Sequence, residues 1–193
     1  VPAQGYLPQV CDVMRGAQQD QVARSALLIF HQLTTNPVCV EGLSKLDCLT
    51  GLQSAMRQRP DLLAIACRAI RKLFDRDNTN LVRQALHSKL VEYLLDLLGK
   101  SLEKVENPAA VKAEIVESLK AMTRNLEFGE EVSRILNASK IWAQFKDQRH
   151  DLFLQSAPQI QALTGGPAVA GYLTQGMTYG GPEIVVPPPP TNS

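Results

Sequence analysis

The sequence predicts an all-α, armadillo-like helical-repeat solenoid of about three repeats, followed by a disordered Pro/Gly-rich tail. Three observations predict it. Apolar residues recur at helical spacing through the first three quarters of the chain. The same pattern returns after 42 residues, twice. From Ala157 onward Gly, Pro, Thr and Gln dominate, and four prolines run together at Pro187 to Pro190.

The repeat is read by superposing "YLPQVCDVM" (6–14) on "CLTGLQSAM" (48–56) and on "LVEYLLDLL" (90–98). Leu7, Leu49 and Val91 coincide. So do Val10, Leu52 and Leu94, then Val13, Ala55 and Leu97, then Met14, Met56 and Leu98. Offsets of three, four and one place such residues on one helix face. A longer helix follows each: "DQVARSALLIFHQL" from Asp20, "PDLLAIACRAIRKL" from Pro60 and "PAAVKAEIVESLKAM" from Pro108. Here Val22, Leu62 and Val111 correspond, as do Ala26, Ala66 and Ile115, and Phe30, Ile70 and Leu119. Pro60 and Pro108 suit a first helical turn, where a missing N–H costs nothing. Asp20 reads as an N-cap.

A short third element closes each unit: "NPVCVEGLSKL" (36–46), "NTNLVRQALHSKL" (78–90) and "FGEEVSRILNASKI" (128–141). All end on Ser-Lys before Leu or Ile, and Asn36 and Asn78 stand where caps or turns belong. The loop "GKSLEKVENP" (99–108) stretches the third spacing. A last helix, "KIWAQFKDQ" (140–148), carries Trp142 and Phe145 to cover the end of the stack. The repeats thus span 1–148 and the tail 149–193. Three helices in about 42 residues is the armadillo signature. A generic helical bundle competes, but does not account for the three-way register.

Net charge is +1, so no overall field draws nucleic acid or an anionic membrane. No apolar run approaches membrane-spanning length. Cys11, Cys39, Cys48 and Cys67 lie among apolar residues with no Cys-x-x-Cys pair, and read as small buried hydrophobes in a reducing, cytosolic compartment. The chain begins at Val1 rather than Met, which reads as a fragment whose upstream targeting elements are not in view.

Nothing in the sequence converges on catalysis, and no cofactor is expected. The histidines His31, His87 and His150 form no metal-spaced cluster with carboxylates or thiols. "TGGPAVAG" (164–171) is glycine-rich, but no helix follows to hold a phosphate. One basic cluster stands out: Arg57, Arg59, Arg68, Arg71, Lys72 and Arg76. It reads either as a solvated face balanced by Asp61, Asp75 and Asp77, or as a site for an acidic peptide or a phosphoinositide headgroup. No aromatics interleave as single-stranded nucleic acid would need. Armadillo proteins that grip extended peptides use asparagines near the end of each third helix. The matching positions are Gln32, Lys72 and Ala121, so that ladder is absent and any grip differs.

Longer stretches carry a resemblance: "SALLIFHQLTTNPVCVEGLSKLDCLTGLQSAMRQRPDLL" (25–63), "AEIVESLKAMTRNLEFGEEVSRIL" (113–136), "WAQFKDQRHDLFL" (142–154) and "AVAGYLTQG" (168–176). They resemble the carboxy-terminal end of the large endosomal J-domain proteins of receptor-mediated endocytosis, in DnaJ subfamily C. The resemblance implies a peripheral place on early endosomes, with indirect membrane association. It implies work with sorting nexins and the WASH complex, and recruitment of Hsc70 by a J domain. A J domain needs His-Pro-Asp, which this chain lacks, so that activity lies elsewhere in such a protein.

The expected role is a non-catalytic protein-interaction scaffold for endosome organisation and cargo sorting. The alternatives are an end cap of a longer solenoid without a partner of its own, and a phosphoinositide-binding helical module. The candidate partner-binding residues are Gln32, Arg68, Arg71 and Lys72 on the repeats, with Tyr172, Leu173, Pro187 and Pro190 on the tail. Tyr172 or Ile184 could fold back on the solenoid, or Pro187 to Pro190 could dock an aromatic-lined module.

Overall fold

A computed structural model describes residues 2–16 and 19–147. The tail, its boundary at 148 and the candidates Tyr172, Leu173, Ile184, Pro187 and Pro190 lie outside those residues. The helices are α1 (Pro2–Gly16), α2 (Asp20–Leu33), α3 (Pro37–Ser44), α4 (Cys48–Gln58), α5 (Leu63–Leu73), α6 (Thr79–His87), α7 (Leu90–Gly99), α8 (Pro108–Thr123), α9 (Gly129–Asn137) and α10 (Lys140–Phe145). A 3-10 turn at Pro60–Leu62 leads into α5. No strand occurs among the described residues.

These helices build a helical-repeat solenoid. Helix α1 packs on α4, α2 on α5, and α5 on α8. The short helices obey one rule: α3 packs on α1, α6 on α4 and α9 on α7. The apolar residues aligned by the repeat meet in one continuous core, with Leu7, Phe30, Leu49, Leu52, Ile70, Leu94 and Leu119 all buried. Each such side chain contributes about 1.5–3 kcal/mol when withdrawn from water.

Local chemistry sets the helix starts. The Asn36 side chain accepts from the Val38 N–H at 2.9 Å, and Asn78 from the Leu81 N–H at 3.2 Å. Asn107, just ahead of Pro108, does the same for the Ala110 N–H at 3.1 Å. Each satisfies a donor that the first turn would otherwise leave open. Asp20 behaves differently. It is the first helical residue, Gln19 holds the cap position, and no side chain caps the turn. The Asp20 carboxylate instead pairs with Arg59 of the next repeat. A negative charge in the first turn still suits the helix dipole.

The recurring Ser-Lys pairs do not share one geometry. Lys45 ends α3 in right-handed conformation at φ −89°, whereas Lys89 precedes α7 at φ 60°. Two glutamines tie these corners, Gln84 across repeats and Gln53 within one. Gln84 Nε2 donates to the Ser44 carbonyl at 2.8 Å, and Gln53 Nε2 to the Ser88 carbonyl at 3.0 Å. The 100–107 connection is anchored too. Leu102 adopts φ 54° and is buried, as is Val105. Burial of the leucine offsets a left-handed backbone that costs an L-residue about 1–2 kcal/mol.

At the far end, Trp142 of α10 is buried, with Ile141 and Phe145 packed against the core. At the near end the apolar register is not fully covered. Val13 and Val22 align with core residues but are exposed, because no described helix lies beyond α1 and α2.

The junction between α8 and α9 rests on Asn125. Its Nδ2 donates to Asp77 Oδ1 at 2.5 Å and to Thr79 Oγ1 at 3.2 Å. Its Oδ1 accepts from the Phe128 N–H at 2.9 Å and the Glu127 N–H at 3.2 Å. Asn125→Ala removes the buried amide that makes these four bonds and should lower stability by about 1–3 kcal/mol in urea unfolding. Gly129 has no room for a methyl group, since an added Cβ would strike the Thr123 carbonyl. Gly129→Ala should therefore cost about 1–3 kcal/mol by the same measurement. A neutral result in either variant would contradict the junction described.

Candidate functional site

The long helices α2, α5 and α8 lie side by side and form one row. Their outer sides carry the sequence-selected residues Gln32, Arg68, Arg71 and Lys72. Gln32 is exposed on the last turn of α2. Arg68 and Lys72 are exposed on α5, one turn apart, and Arg71 is half-buried beside them.

The basic cluster divides when its partners are placed. Arg57 stacks over the Tyr93 ring, 4.2 Å from its centroid. Arg59 forks onto Asp61, at 3.1 and 2.9 Å, and also pairs with Asp20. That contact holds the Asp61 carboxyl below its ordinary range. Arg71 bonds Asp75 at 2.6 Å, and Lys72 reaches the same carboxylate at 3.6 Å. Arg68 and Arg76 make no ion pair among the described residues. Arg57 and Arg59 are thus committed to contacts elsewhere, and Arg68, Arg71 and Lys72 remain as the row's positive centre.

Two residues that the sequence did not single out face this centre. His31 comes from α2, and its basicity is lowered by burial, then by Arg68 and Lys72. Glu114 comes from α8, and burial raises its pKa, opposed by Arg71, Arg68 and Lys72. The row therefore sets a neutral imidazole, three cations and a partly buried carboxyl against one another. In the repeat register, Glu114 falls at the place of Ser25 and Ile65, and His31 at the place of Arg71. Neither substitution breaks the apolar pattern, so periodicity alone carried no signal for them. Ala121, the last position of the missing asparagine ladder, is half-buried against the core.

The remaining reactive groups sit away from this row's surface chemistry. All four cysteines are buried and free. Burial, with Asp12 nearby, pushes the Cys11 thiol up to about 11. Burial raises Cys48 and Cys67 further. Thiols so shifted carry almost no thiolate at neutral pH. Among the described residues no group of three or more His, Cys, Asp or Glu side chains is placed to hold a metal ion. No described helix is long and apolar enough to cross a membrane.

The two shifted groups on the row predict opposite pH trends. Glu114 binds its proton more tightly folded than unfolded. Its ionisation therefore withdraws stability as pH rises from about 4.5 through the folded value. Glu114→Gln lacks this penalty, so its melting temperature should gain on the parent between pH 4 and pH 7. His31 binds its proton less tightly when folded, so it withdraws stability as pH falls below 6.5. His31→Gln should flatten that acid-side loss. Melting curves across pH that are parallel for parent and variants would contradict both assignments.

Comparison with known proteins adds one relationship. The chain is 27% identical over 195 residues to "DnaJ homolog subfamily C GRV2" of Arabidopsis thaliana, an alignment covering 90% of this chain. It spans 7% of that relative's length. No protein-family model matches the chain, and no solved structure does. The chain is thus distantly similar, over most of its length, to a small part of a DnaJ homolog subfamily C protein.

Proposed function

We propose that this segment is a non-catalytic protein-interaction scaffold within a DnaJ subfamily C co-chaperone, acting in endosome organisation and cargo sorting. The observation that carries the reading is the α2–α5–α8 row. In this row α2 presents Gln32 outward, and α5 presents Arg68 and Lys72. Their charges are only partly matched internally, by Asp75 and Glu114. Such a face suits an acidic or mixed-charge protein segment, for which cations supply charge-assisted hydrogen bonds. The distant similarity to a DnaJ homolog subfamily C protein supports the setting. The chain has no His-Pro-Asp, so stimulation of Hsc70 would belong to another part of such a protein. Sorting-nexin and WASH subunits are the partners proposed, with membrane association indirect through them.

A second reading has its own observation. Helix α10 buries Trp142 against α7 and α9, as a unit closing a stack would. On that view the segment ends a solenoid and binds no partner through the row.

Purified sorting-nexin and WASH subunits, titrated against residues 1–193, separate the two. Saturable binding that falls at least about tenfold in Arg68→Glu/Lys72→Glu supports the scaffold. Binding that this pair leaves unchanged moves the site elsewhere, and no binding to any subunit leaves the end-cap reading. Phosphoinositide liposomes serve as the control for the lipid-binding alternative. That alternative requires co-sedimentation that the same charge reversal abolishes.

A further inference from the structure

The amino-terminal edge of the solenoid carries an uncovered apolar groove. It measures about 360 Å³ and lies between α1 and α2, lined by Tyr6, Val10, Val13, Val22 and Ile29 among others. Among the described residues no charged side chain lines it. Tyr6 is 64% exposed, Val13 40%, Val22 43% and Ile29 52%. A run of large exposed hydrophobics on two adjacent helices marks a contact surface.

The repeat register identifies what kind of contact. Tyr6 corresponds to Cys48 and Leu90, and Val13 to Ala55 and Leu97. Val22 corresponds to Leu62 and Val111, and Ile29 to Ala69 and Ser118. Not one of these eight counterparts is more than 4% exposed. The face that is open on the first unit is closed on the second and the third. What closes it on the second unit is visible: α1 lies on α4 and α2 on α5. Gly51, the counterpart of Gln9 in the groove, lets α4 approach so closely that an added Cβ would lie 3.0 Å from the Cys11 carbonyl oxygen.

We infer that the outer face of α1 and α2 is the docking face for a further helical-repeat unit, contributed by the polypeptide that precedes α1. The argument is continuity of the inter-repeat interface, complete where α1 and α2 meet α4 and α5 and carried on by the long helices where α5 meets α8. The occupant is a helix pair set on α1 and α2 as these are set on α4 and α5. It presents an apolar surface like the buried side of α1 and α2, where Cys11, Met14, Leu27 and Phe30 lie. A charged ligand does not fit, because the groove offers it no counter-charge. Head-to-tail stacking of a second copy is disfavoured, since α10 occupies the other end of the described stack. The similar DnaJ homolog subfamily C protein is long enough for many such units, since the alignment covers 7% of it. The inference does not depend on the partner-binding role proposed for the row.

The test compares residues 1–193 with the same chain extended through about two native repeat lengths before Val1. Carbene footprinting reads the labelling of Tyr6, Val22 and Ile29. It should fall at least about fivefold in the extended chain, towards the level of buried core residues. Val22→Glu/Ile29→Glu supplies a second readout. In residues 1–193 it should move the melting temperature by no more than about 1–2 °C. In the extended chain it should lower it by at least about 5 °C, since there it places two charges in an interface. Equal labelling in both chains overturns the inference. So does strong protection of the face in monomeric 1–193, which would assign the occupant to residues 148–193. Protection that appears only with concentration-dependent dimerisation would assign it to a second copy. A native polypeptide with no helical unit ahead of Val1 overturns it as well.

Discussion

The structure depends on one constraint: a repeat unit of three helices has more apolar surface than it can cover itself. Helix α4 shows the constraint most plainly. Cys48, Leu49, Gly51, Leu52, Gln53, Ala55 and Met56 are all buried, leaving little of the helix for water. No single neighbour can cover so wide a face. Helix α1 lies on one part of it, and α6 and the turn before α5 take others. Stability is therefore a property of stacked neighbours rather than of any one unit. The same constraint explains why polar side chains at the seams reach across repeats, as Gln84 and Asn125 do.

This architecture determines where function can sit. Core-facing positions are committed, so recognition falls to the outer sides of the long helices and to the ends of the stack. The α2–α5–α8 row offers cations placed by a rigid scaffold, with His31 and Glu114 tuned by the same partial burial. The ends differ. One is closed by Trp142, and the other shows an apolar groove without charge. Row and groove call for different chemistry: the row suits a polar, charged segment, and the groove an apolar helix pair.

The basic cluster shows how spacing and position diverge. Six cations within twenty residues look like one patch in sequence. Placed on the fold, Arg57 covers an aromatic ring, Arg59 staples two repeats, and Arg71 and Lys72 share one aspartate. Only a subset is directed towards the row. Counting charges along the chain could not separate these roles, because the partners Tyr93, Asp20 and Glu114 come from other helices.

The sequence by itself determined the helices, their order and their repeat. Those properties follow from apolar spacing along one chain and from caps such as Asn36 and Asn78, whose bonds are local. It also marked which residues would be apolar partners, so most of the core was legible. The tertiary structure alone decided which apolar faces are covered. Val13 and Val22 carry the core pattern but lack a neighbour, whereas Ala55 and Leu62 have one. It decided that Asp20 pairs with Arg59 instead of capping α2, and that Lys45 and Lys89 adopt different backbones within one repeated Ser-Lys pair. It decided that His31 and Glu114 share a face with Arg68. The physical reason is common to all of these. Periodicity records the direction in which a side chain points, but charge pairing and desolvation depend on what another part of the chain places in front of it.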